Sequence, residues 1–126
     1  MSTRGNIFYN RIEKASEPNV PFYNSDTIYF YEHCDAYPSG LGQDLKDILE
    51  YQVSGKTTKT LSERLEEYYE DTNFIHGDVD YVYAITETDT EYILQCYKYN
   101  MFDKRPDYFK LFLNEEPKET TIFKKQ

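Results

Sequence analysis

The chain has 126 residues, the usual length of one domain, and a domain of this size needs no disulfide or structural metal to fold. Hydrophobic residues make up 39% and aromatic residues 17% of the sequence, a composition that excludes a disordered chain. The formal net charge is −9, which argues against direct binding to nucleic acid. We expect a single domain over residues 1–126, with a polar tail from about residue 115.

Two strands are predicted in the first third of the chain. Residues 6–10 read as a short first strand, and residues 27–33 are rich in the β-branched and aromatic side chains that favour a second one. The segment between them contains Pro18 and Pro21, which lack backbone donors, so residues 16–21 are expected to form a loop.

Two helices are predicted in the middle of the chain. A turn at residues 35–40 leads into a helix that begins at Leu41 or Gly42 and ends at Val53, because apolar residues recur there at helical spacing. A second helix is predicted over residues 61–70. Thr60 and Glu63 have the spacing of a capping box, in which each side chain bonds the backbone amide of the other residue. The apolar residues of this second helix share one stripe: Leu61, Leu65, Tyr68 and Tyr69.

The remainder of the chain is predicted to form strands. Residues 79–86 and 91–99 make a hairpin, and residues 107–113 make a last strand, after which the tail beyond Glu115 is polar and expected to fray. The order β-β-α-α-β-β-β predicts an α+β fold, with an antiparallel sheet of about five strands and two helices packed on one face. A small open barrel with the helices across its mouth is the alternative.

The negative charge is concentrated in the middle of the chain. Residues 27–103 contain 16 acidic and five basic residues, a net charge of −11, whereas residues 1–26 are neutral and residues 104–126 carry +2. Such a region repels phosphates and attracts basic surfaces, including those that normally hold nucleic acid. A solvated acidic face that only keeps the protein soluble is the simpler explanation.

Three different segments of the sequence, taken in order, together form one pattern. They are TRGNI at residues 3–7, IYFYEHCDAYPSGLG at residues 28–42 and HGDVDYVY at residues 76–83. They resemble a family of small, mostly uncharacterised proteins encoded by bacteriophages, prophages and bacteria. That family has TR-x-x-I, then Y-x-H-x-D-G-Y-P-x-G-x-G-x-x-L, then a G-D-x-E-Y-x-Y-x-I-like strand. The resemblance implies a phage or mobile-element context and carries no catalytic assignment. Ala36 stands where the family has glycine, so a turn with positive φ there would be strained.

Two H-x-D triplets contain both histidines of the chain, His33 with Asp35 and His76 with Asp78. If the two segments meet, they could bind a divalent metal, or one imidazole could act as a general base. The simpler interpretation is that each histidine is held by its nearby carboxylate or by a backbone carbonyl. Cys34 and Cys96 fit no metal or redox spacing and are expected to be free, buried thiols in a reducing cytosol.

The 14 tyrosines exceed what most chains of this length contain, and tyrosine is enriched at binding interfaces. Most are expected to form the core and its rim. Tyr37 lies in the turn before the first helix, where it either is displayed or packs on that helix and donates its hydroxyl to Asp35. Acidic residues interleaved with tyrosines favour occupation of a basic groove, with carboxylates in place of phosphates. The predicted partner-binding residues are Tyr37, Glu63, Glu66, Glu67, Glu70, Asp71, Asp78, Asp80, Tyr81, Tyr83, Glu87, Asp89 and Glu91.

Three functions follow as hypotheses. We favour a phage-encoded, non-enzymatic inhibitor that binds a host protein in the cytoplasm, with a CRISPR effector or another immunity nuclease as the leading target. It would act by nucleic-acid mimicry, with no cofactor and no catalytic residue. The first alternative is a small-molecule binder, for instance a nucleotide sponge, usually homo-oligomeric, whose pocket is lined by residues 35–42 and an aromatic face. The second is a metal-dependent enzyme that uses the two H-x-D triplets.

Overall fold

The computed structural model describes residues 3–11, 28–72, 79–98 and 116–125, which form six strands, two α-helices and one π-helical turn. The strands are β1 (Gly5–Arg11), β2 (Ile28–Glu32), β3 (Glu70–Thr72), β4 (Tyr81–Glu87), β5 (Glu91–Lys98) and β6 (Glu119–Lys124). The helices are α1 (Gln43–Val53) and α2 (Leu61–Tyr68), and the π-helical turn Pro38–Gly42 precedes α1. None of the helices in these residues is long and apolar enough to cross a membrane.

The six strands form one sheet in the order β3-β2-β1-β4-β5-β6. Neighbouring strands are antiparallel, except that β1 and β4 run parallel with Ile7 opposite Tyr83. The α+β class is therefore confirmed. The predicted antiparallel sheet of about five strands is corrected in two respects, because the described sheet has six strands and one parallel pair.

Both helices pack on the same face of the sheet. Leu45 and Leu49 of α1 and Leu65 of α2 share a buried cluster with Ile7 of β1 and Ile85 of β4. The helices therefore cover a sheet face, and not the mouth of a barrel as in the alternative prediction.

The opposite face of the sheet is buried as well. Phe8 of β1 and Val82 and Ala84 of β4 have no exposed surface, and Tyr97 of β5 is 3% exposed. The two central strands are thus covered on both faces, which is the setting in which parallel pairing is found. The one parallel pair of the described sheet therefore lies where its strands are buried on both faces.

The start of α2 confirms the predicted capping box. The Thr60 hydroxyl accepts a 3.3 Å hydrogen bond from the Glu63 amide, and the Glu63 carboxylate accepts one of 3.2 Å from the Thr60 amide. The helix ends at Tyr68, two residues before the predicted end. The next residues form β3, in which Glu70 lies opposite Tyr31 of β2.

The chain beyond residue 115 differs from the prediction. The polar tail was expected to fray, but Glu119–Lys124 forms β6 and pairs along β5. The predicted strands and helix that became β1, β2, α1, β4 and β5 lie within two residues of their expected bounds. The loop predicted at residues 16–21 and the strand predicted at residues 107–113 lie outside the described residues.

Candidate functional site

The turn between β2 and α1 adopts an unusual backbone conformation at Asp35. This residue has a φ of 56°, and it is the one non-glycine residue with positive φ in the described part of the chain. The strain expected at Ala36 therefore falls on its neighbour instead, and an aspartate tolerates the left-handed conformation better than most residues do. Ala36 is fully buried, and its amide donates a 3.1 Å hydrogen bond to the Thr3 carbonyl.

The π-helical turn brings the backbone of Gly40 against the Asp35 carbonyl. A Cβ at Gly40 would lie 2.2 Å from that oxygen, so only glycine fits there. The amides of Gly40, Leu41 and Gly42 all donate within the turn, to the carbonyls of Tyr37 and Asp35. These three amides are therefore already used, and they offer no anion-binding nest to the nucleotide proposed in the sponge hypothesis.

Tyr37 is displayed at the surface of this turn. Its side chain is 39% exposed, as in the first of the two alternatives, and its hydroxyl donates a 3.2 Å hydrogen bond to Oδ1 of Asp35, as in the second. This hydrogen bond, followed by the negative charge of Asp35, raises the pKa of Tyr37. The phenol therefore stays neutral and is held in one place by the turn.

The first H-x-D triplet follows the end of β2, where His33, Cys34 and Asp35 are all exposed. The expected burial is therefore confirmed for Cys96 and wrong for Cys34. The partner of His33 is the Tyr31 hydroxyl, 3.1 Å from its Nδ1, and not the carboxylate that the simpler interpretation assigned to it. Asp35 accepts instead from Tyr37. No group of three or more potential metal ligands occurs in the described residues, which do not include His76 or Asp78.

The strongest concentration of exposed acidic side chains lies where α2 passes into β3. Glu66, Glu70 and Asp71 are exposed, and their carboxylates accept no hydrogen bond and form no ion pair with any described residue. Tyr68, between them, is 59% exposed. We call these four residues the acidic edge, because β3 is one edge of the described sheet.

Two further predicted residues of α2 have structural partners. Glu67 is exposed and forms an ion pair with Lys59. Glu63 belongs to the capping box, and the backbone and side-chain hydrogen bonds from Thr60 lower the pKa of its carboxyl. Both lie on the same helix as Glu66, but their carboxylates are already partly engaged.

Acidic residues from two other elements lie near Tyr69, the residue between Tyr68 and Glu70 of the acidic edge. Burial, followed by the negative charges of Asp44 on α1 and Glu32 on β2, raises the pKa of Tyr69 well above its ordinary value. Glu32 also adjoins Tyr31, which lies opposite Glu70 in the sheet. The sequence indicated neither Glu32 nor Asp44, since only the sheet register and the helix packing bring them near β3.

The predicted residues on the hairpin do not join this surface. Glu87 is 8% exposed, accepts a hydrogen bond from the Tyr9 hydroxyl and lies 2.7 Å from Lys125 Nζ. Tyr83 is 1% exposed and donates its hydroxyl to the Ala36 carbonyl. Neither side chain lies at the surface where a partner could reach it, because β4 is covered on both faces.

The other residues of the hairpin are divided between the two ends of β4. Asp80 and Tyr81 are half-buried at its start, where an Asp80 oxygen accepts from the Arg4 amide at 3.2 Å. Asp89, which is exposed 3.9 Å from Arg11, and the half-buried Glu91 lie at the other end, roughly 20 Å away along a seven-residue strand. Asp78 lies outside the described residues.

Tyr68 is the member of the acidic edge that sequence reasoning missed. Its spacing from Leu61 and Leu65 placed it in the apolar stripe of the second helix, yet the helix ends at this residue and the ring turns outward. The sequence did contain a signal for an exposed tyrosine here, since two tyrosines at the last turn of the helix are followed directly by two acidic residues.

Comparison of the chain with protein-family models, with curated proteins and with solved structures gives no match. Its function is therefore inferred from its own residues.

Proposed function

We propose that this protein is a non-enzymatic inhibitor that binds the basic, nucleic-acid-binding surface of another protein through the acidic edge. The observation that carries the proposal is that the carboxylates of Glu66, Glu70 and Asp71 are exposed and without a cationic partner in the described residues, next in the chain to the exposed ring of Tyr68. Charges left unpaired along one edge of a sheet favour a partner of the opposite sign.

The chemistry of the acidic edge resembles that of a nucleic-acid strand. Carboxylates at the surface can take the place of phosphates against lysine and arginine side chains, and an arginine guanidinium also stacks on a tyrosine ring. The aromatic ring of Tyr68 would occupy the place of a base. Binding of this kind weakens as salt increases, because exposed charges are screened.

The class of target follows from the resemblance to phage and prophage proteins. An inhibitor encoded by a phage acts in the cytoplasm of the host, and immunity nucleases such as CRISPR effectors present basic channels that hold nucleic acid. We therefore place such an effector first among the partners. The inhibitor would occupy its channel and exclude the guide or the target strand.

The test compares two variants that carry the same net charge. The edge variant has Glu66→Gln, Glu70→Gln and Asp71→Asn, and the control variant has Glu50→Gln, Asp89→Asn and Glu116→Gln, three exposed acids outside the acidic edge. Each protein is added to purified CRISPR effectors, and displacement of labelled guide RNA or target DNA is followed by fluorescence anisotropy at low and at high salt.

We expect the wild type and the control variant to displace nucleic acid at low salt, and the edge variant to lose most of that activity. Equal displacement by the two variants would show that overall charge, and not this surface, is responsible. If no effector loses nucleic acid, the proposed target class is wrong. A nucleotide retained by the protein in native mass spectrometry would instead support the sponge hypothesis.

A further inference from the structure

The strand β6 forms the other edge of the described sheet, opposite the acidic edge, and carries an exposed aliphatic residue. Ile122 is 53% exposed and lies opposite Ile93 of β5. No other large aliphatic side chain in the described part of the chain is as exposed. Edge strands of monomeric proteins usually avoid such a residue, because an open apolar edge invites pairing with another strand.

The register of β6 fixes which of its backbone groups have no partner strand among the described residues. The Lys125 amide donates a 2.8 Å hydrogen bond to the Thr90 carbonyl. Hydrogen bonding alternates along an antiparallel pair, so Glu119, Thr121 and Phe123 also direct their backbone groups towards β5. The amides and carbonyls of the intervening residues therefore point away from the sheet: Thr120, Ile122 and Lys124.

We propose that β6 pairs antiparallel with β6 of a second copy of this chain, with the two-fold axis at Ile122. In an antiparallel pair, residues that face each other must both direct their backbone groups towards the partner strand. Pairing Ile122 with Ile122 of the second copy meets this condition, and it also sets Thr120 opposite Lys124. The interface is self-complementary, as a two-fold dimer requires.

The side chains favour this register over its neighbours. The two Ile122 side chains meet at the axis and cover each other. Glu119 comes opposite Lys125 of the second copy, but each keeps its ion pair within its own copy, with Lys46 and Glu87 respectively. A shift of two residues towards the amino terminus would set Lys118 opposite Lys124 and remove the isoleucine contact. Like charges that face each other across a strand pair destabilise it, so this shifted register is disfavoured.

The dimer does not depend on the proposed function, because the acidic edge lies at the far side of the sheet. Joining the two β6 strands makes one continuous sheet with an acidic edge at each end. Both acidic edges stay exposed and face away from each other, so one dimer could engage two basic partners.

The first experiment measures the mass in solution by sedimentation equilibrium, over protein concentrations from micromolar to near-millimolar. A strand-to-strand contact of this length is at the small end of protein interfaces, so we expect a reversible dimer with micromolar affinity. Ile122→Lys should be monomeric at concentrations where the wild type is dimeric. Tyr68→Lys, which alters a comparably exposed residue on the opposite edge, should dimerise like the wild type. Circular dichroism verifies that both variants fold.

The second experiment tests the register by oxidation of single cysteines in a Cys34→Ser background, since Cys34 is exposed and Cys96 is buried. In the proposed dimer, the Cα atoms of residue 122 in the two copies are about 5.5 Å apart, within the range of a disulfide. The two copies of residue 120 are about 14 Å apart. Ile122→Cys should therefore form a covalent dimer, and Thr120→Cys should not.

Either experiment can overturn the proposal. A wild type that remains monomeric at the highest concentration contradicts it, as does an Ile122→Lys variant that dimerises normally. Cross-linking of Thr120→Cys as fast as that of Ile122→Cys contradicts the register. Assembly beyond the dimer would indicate head-to-tail pairing of β6 with β3 instead. Loss of dimerisation leaves the acidic edges intact, so nucleic-acid displacement separates failure of this proposal from failure of the proposed function.

Discussion

The hydroxyl of Tyr83, in the middle of the sheet, donates a 2.6 Å hydrogen bond to the carbonyl oxygen of Ala36, in the turn before α1. Both residues are buried, so neither group has water as an alternative partner. Burial is also the main reason why the pKa of Tyr83 is raised, and the hydroxyl keeps the proton that it donates. The turn that displays Tyr37 is thereby fixed to the sheet.

Replacing Tyr83 with phenylalanine should lower the free energy of unfolding by about 1–2 kcal/mol, because the Ala36 carbonyl would remain buried without a donor. Tyr37→Phe removes a hydroxyl from an exposed side chain and should lower the free energy of unfolding by much less. Urea unfolding of the two variants provides the comparison. Equal stability of Tyr83→Phe and the wild type would mean that the hydrogen bond contributes nothing to stability.

Two glycines of the π-helical turn should respond differently to alanine. At Gly40 the new methyl group would lie 2.2 Å from the Asp35 carbonyl oxygen, whereas at Gly42 its nearest neighbour would be the Tyr83 ring at 3.4 Å. Gly40→Ala forces a backbone shift and should destabilise the protein by about 2 kcal/mol or more, and Gly42→Ala by less than about 1 kcal/mol. Thermal unfolding followed by circular dichroism tests this, and a similar loss for both would refute the steric explanation.

The elements that the sequence predicted well are those specified by local signals. The capping box of Thr60 and Glu63 marks the start of α2, and the alternating runs around residues 88–90 mark the hairpin of β4 and β5. The strand β3 was missed because three residues with two exposed acids have no strand pattern of their own. It forms because β2 offers a partner, and a partner distant in sequence leaves no local signal.

The strand β6 did have a local signal. The sequence Thr120-Thr121-Ile122-Phe123 is rich in residues that favour strands, but the surrounding charges suggested a solvated tail. The parallel direction of β1 and β4 could not be predicted from the sequence, because strand order and direction are set by packing of the whole chain. The candidate site was only partly predictable for the same reason. Alternation in β4 cannot distinguish an exposed face from a buried one, so Tyr83 and Glu87 were placed at the surface.

Tyr92 should make the stability of the protein depend on alkaline pH. Burial, followed by the charge of Glu87 and a hydrogen bond to it, raises the pKa of Tyr92 from its ordinary value of 10.0 to about 12. The folded protein therefore retains a proton that the unfolded chain loses above pH 10. The contribution is complete below pH 10 and is lost as the pH rises towards 12.

The measurement compares the wild type with Tyr92→Phe by urea unfolding at several pH values. Between pH 8 and 10 the difference in free energy should be constant. At pH 12 the wild type should have lost on the order of 2 kcal/mol relative to Tyr92→Phe, which has no proton to lose at this position. A difference that stays the same up to pH 12 would contradict the raised pKa.

The ion pair between Glu87 of β4 and Lys125, the residue after β6, should contribute to the stability of the folded protein. Lys125 Nζ lies 2.7 Å from a Glu87 carboxylate oxygen and 4.9 Å from the centre of the Tyr92 ring, and the Glu87 side chain is only 10% exposed. Lys125→Met would leave this carboxylate without its cation and should cost about 2 kcal/mol. Glu87→Gln with Lys125→Met should cost less than the sum of the two single changes, as a double-mutant cycle would detect. Arg11→Met, at the exposed 3.9 Å pair with Asp89, is the control and should change stability by less than about 0.5 kcal/mol.

The capping box gives two carboxylates of α2 different roles, since Glu63 stabilises the helix and Glu66 is proposed to bind the partner. Thr60→Ala removes the hydroxyl that accepts from the Glu63 amide and should cost about 1 kcal/mol of stability. Glu63→Gln keeps an oxygen for the Thr60 amide and should fold normally.

The same variant tests which carboxylate of α2 binds the partner. The Glu63 carboxylate is engaged by Thr60, while that of Glu66 is free in the described structure. Glu63→Gln should therefore displace nucleic acid from the partner as the wild type does, and Glu66→Gln should do so less effectively. An equal loss for both variants would extend the binding surface along α2 to its first turn, and an effect of Glu63→Gln alone would move the site away from the acidic edge.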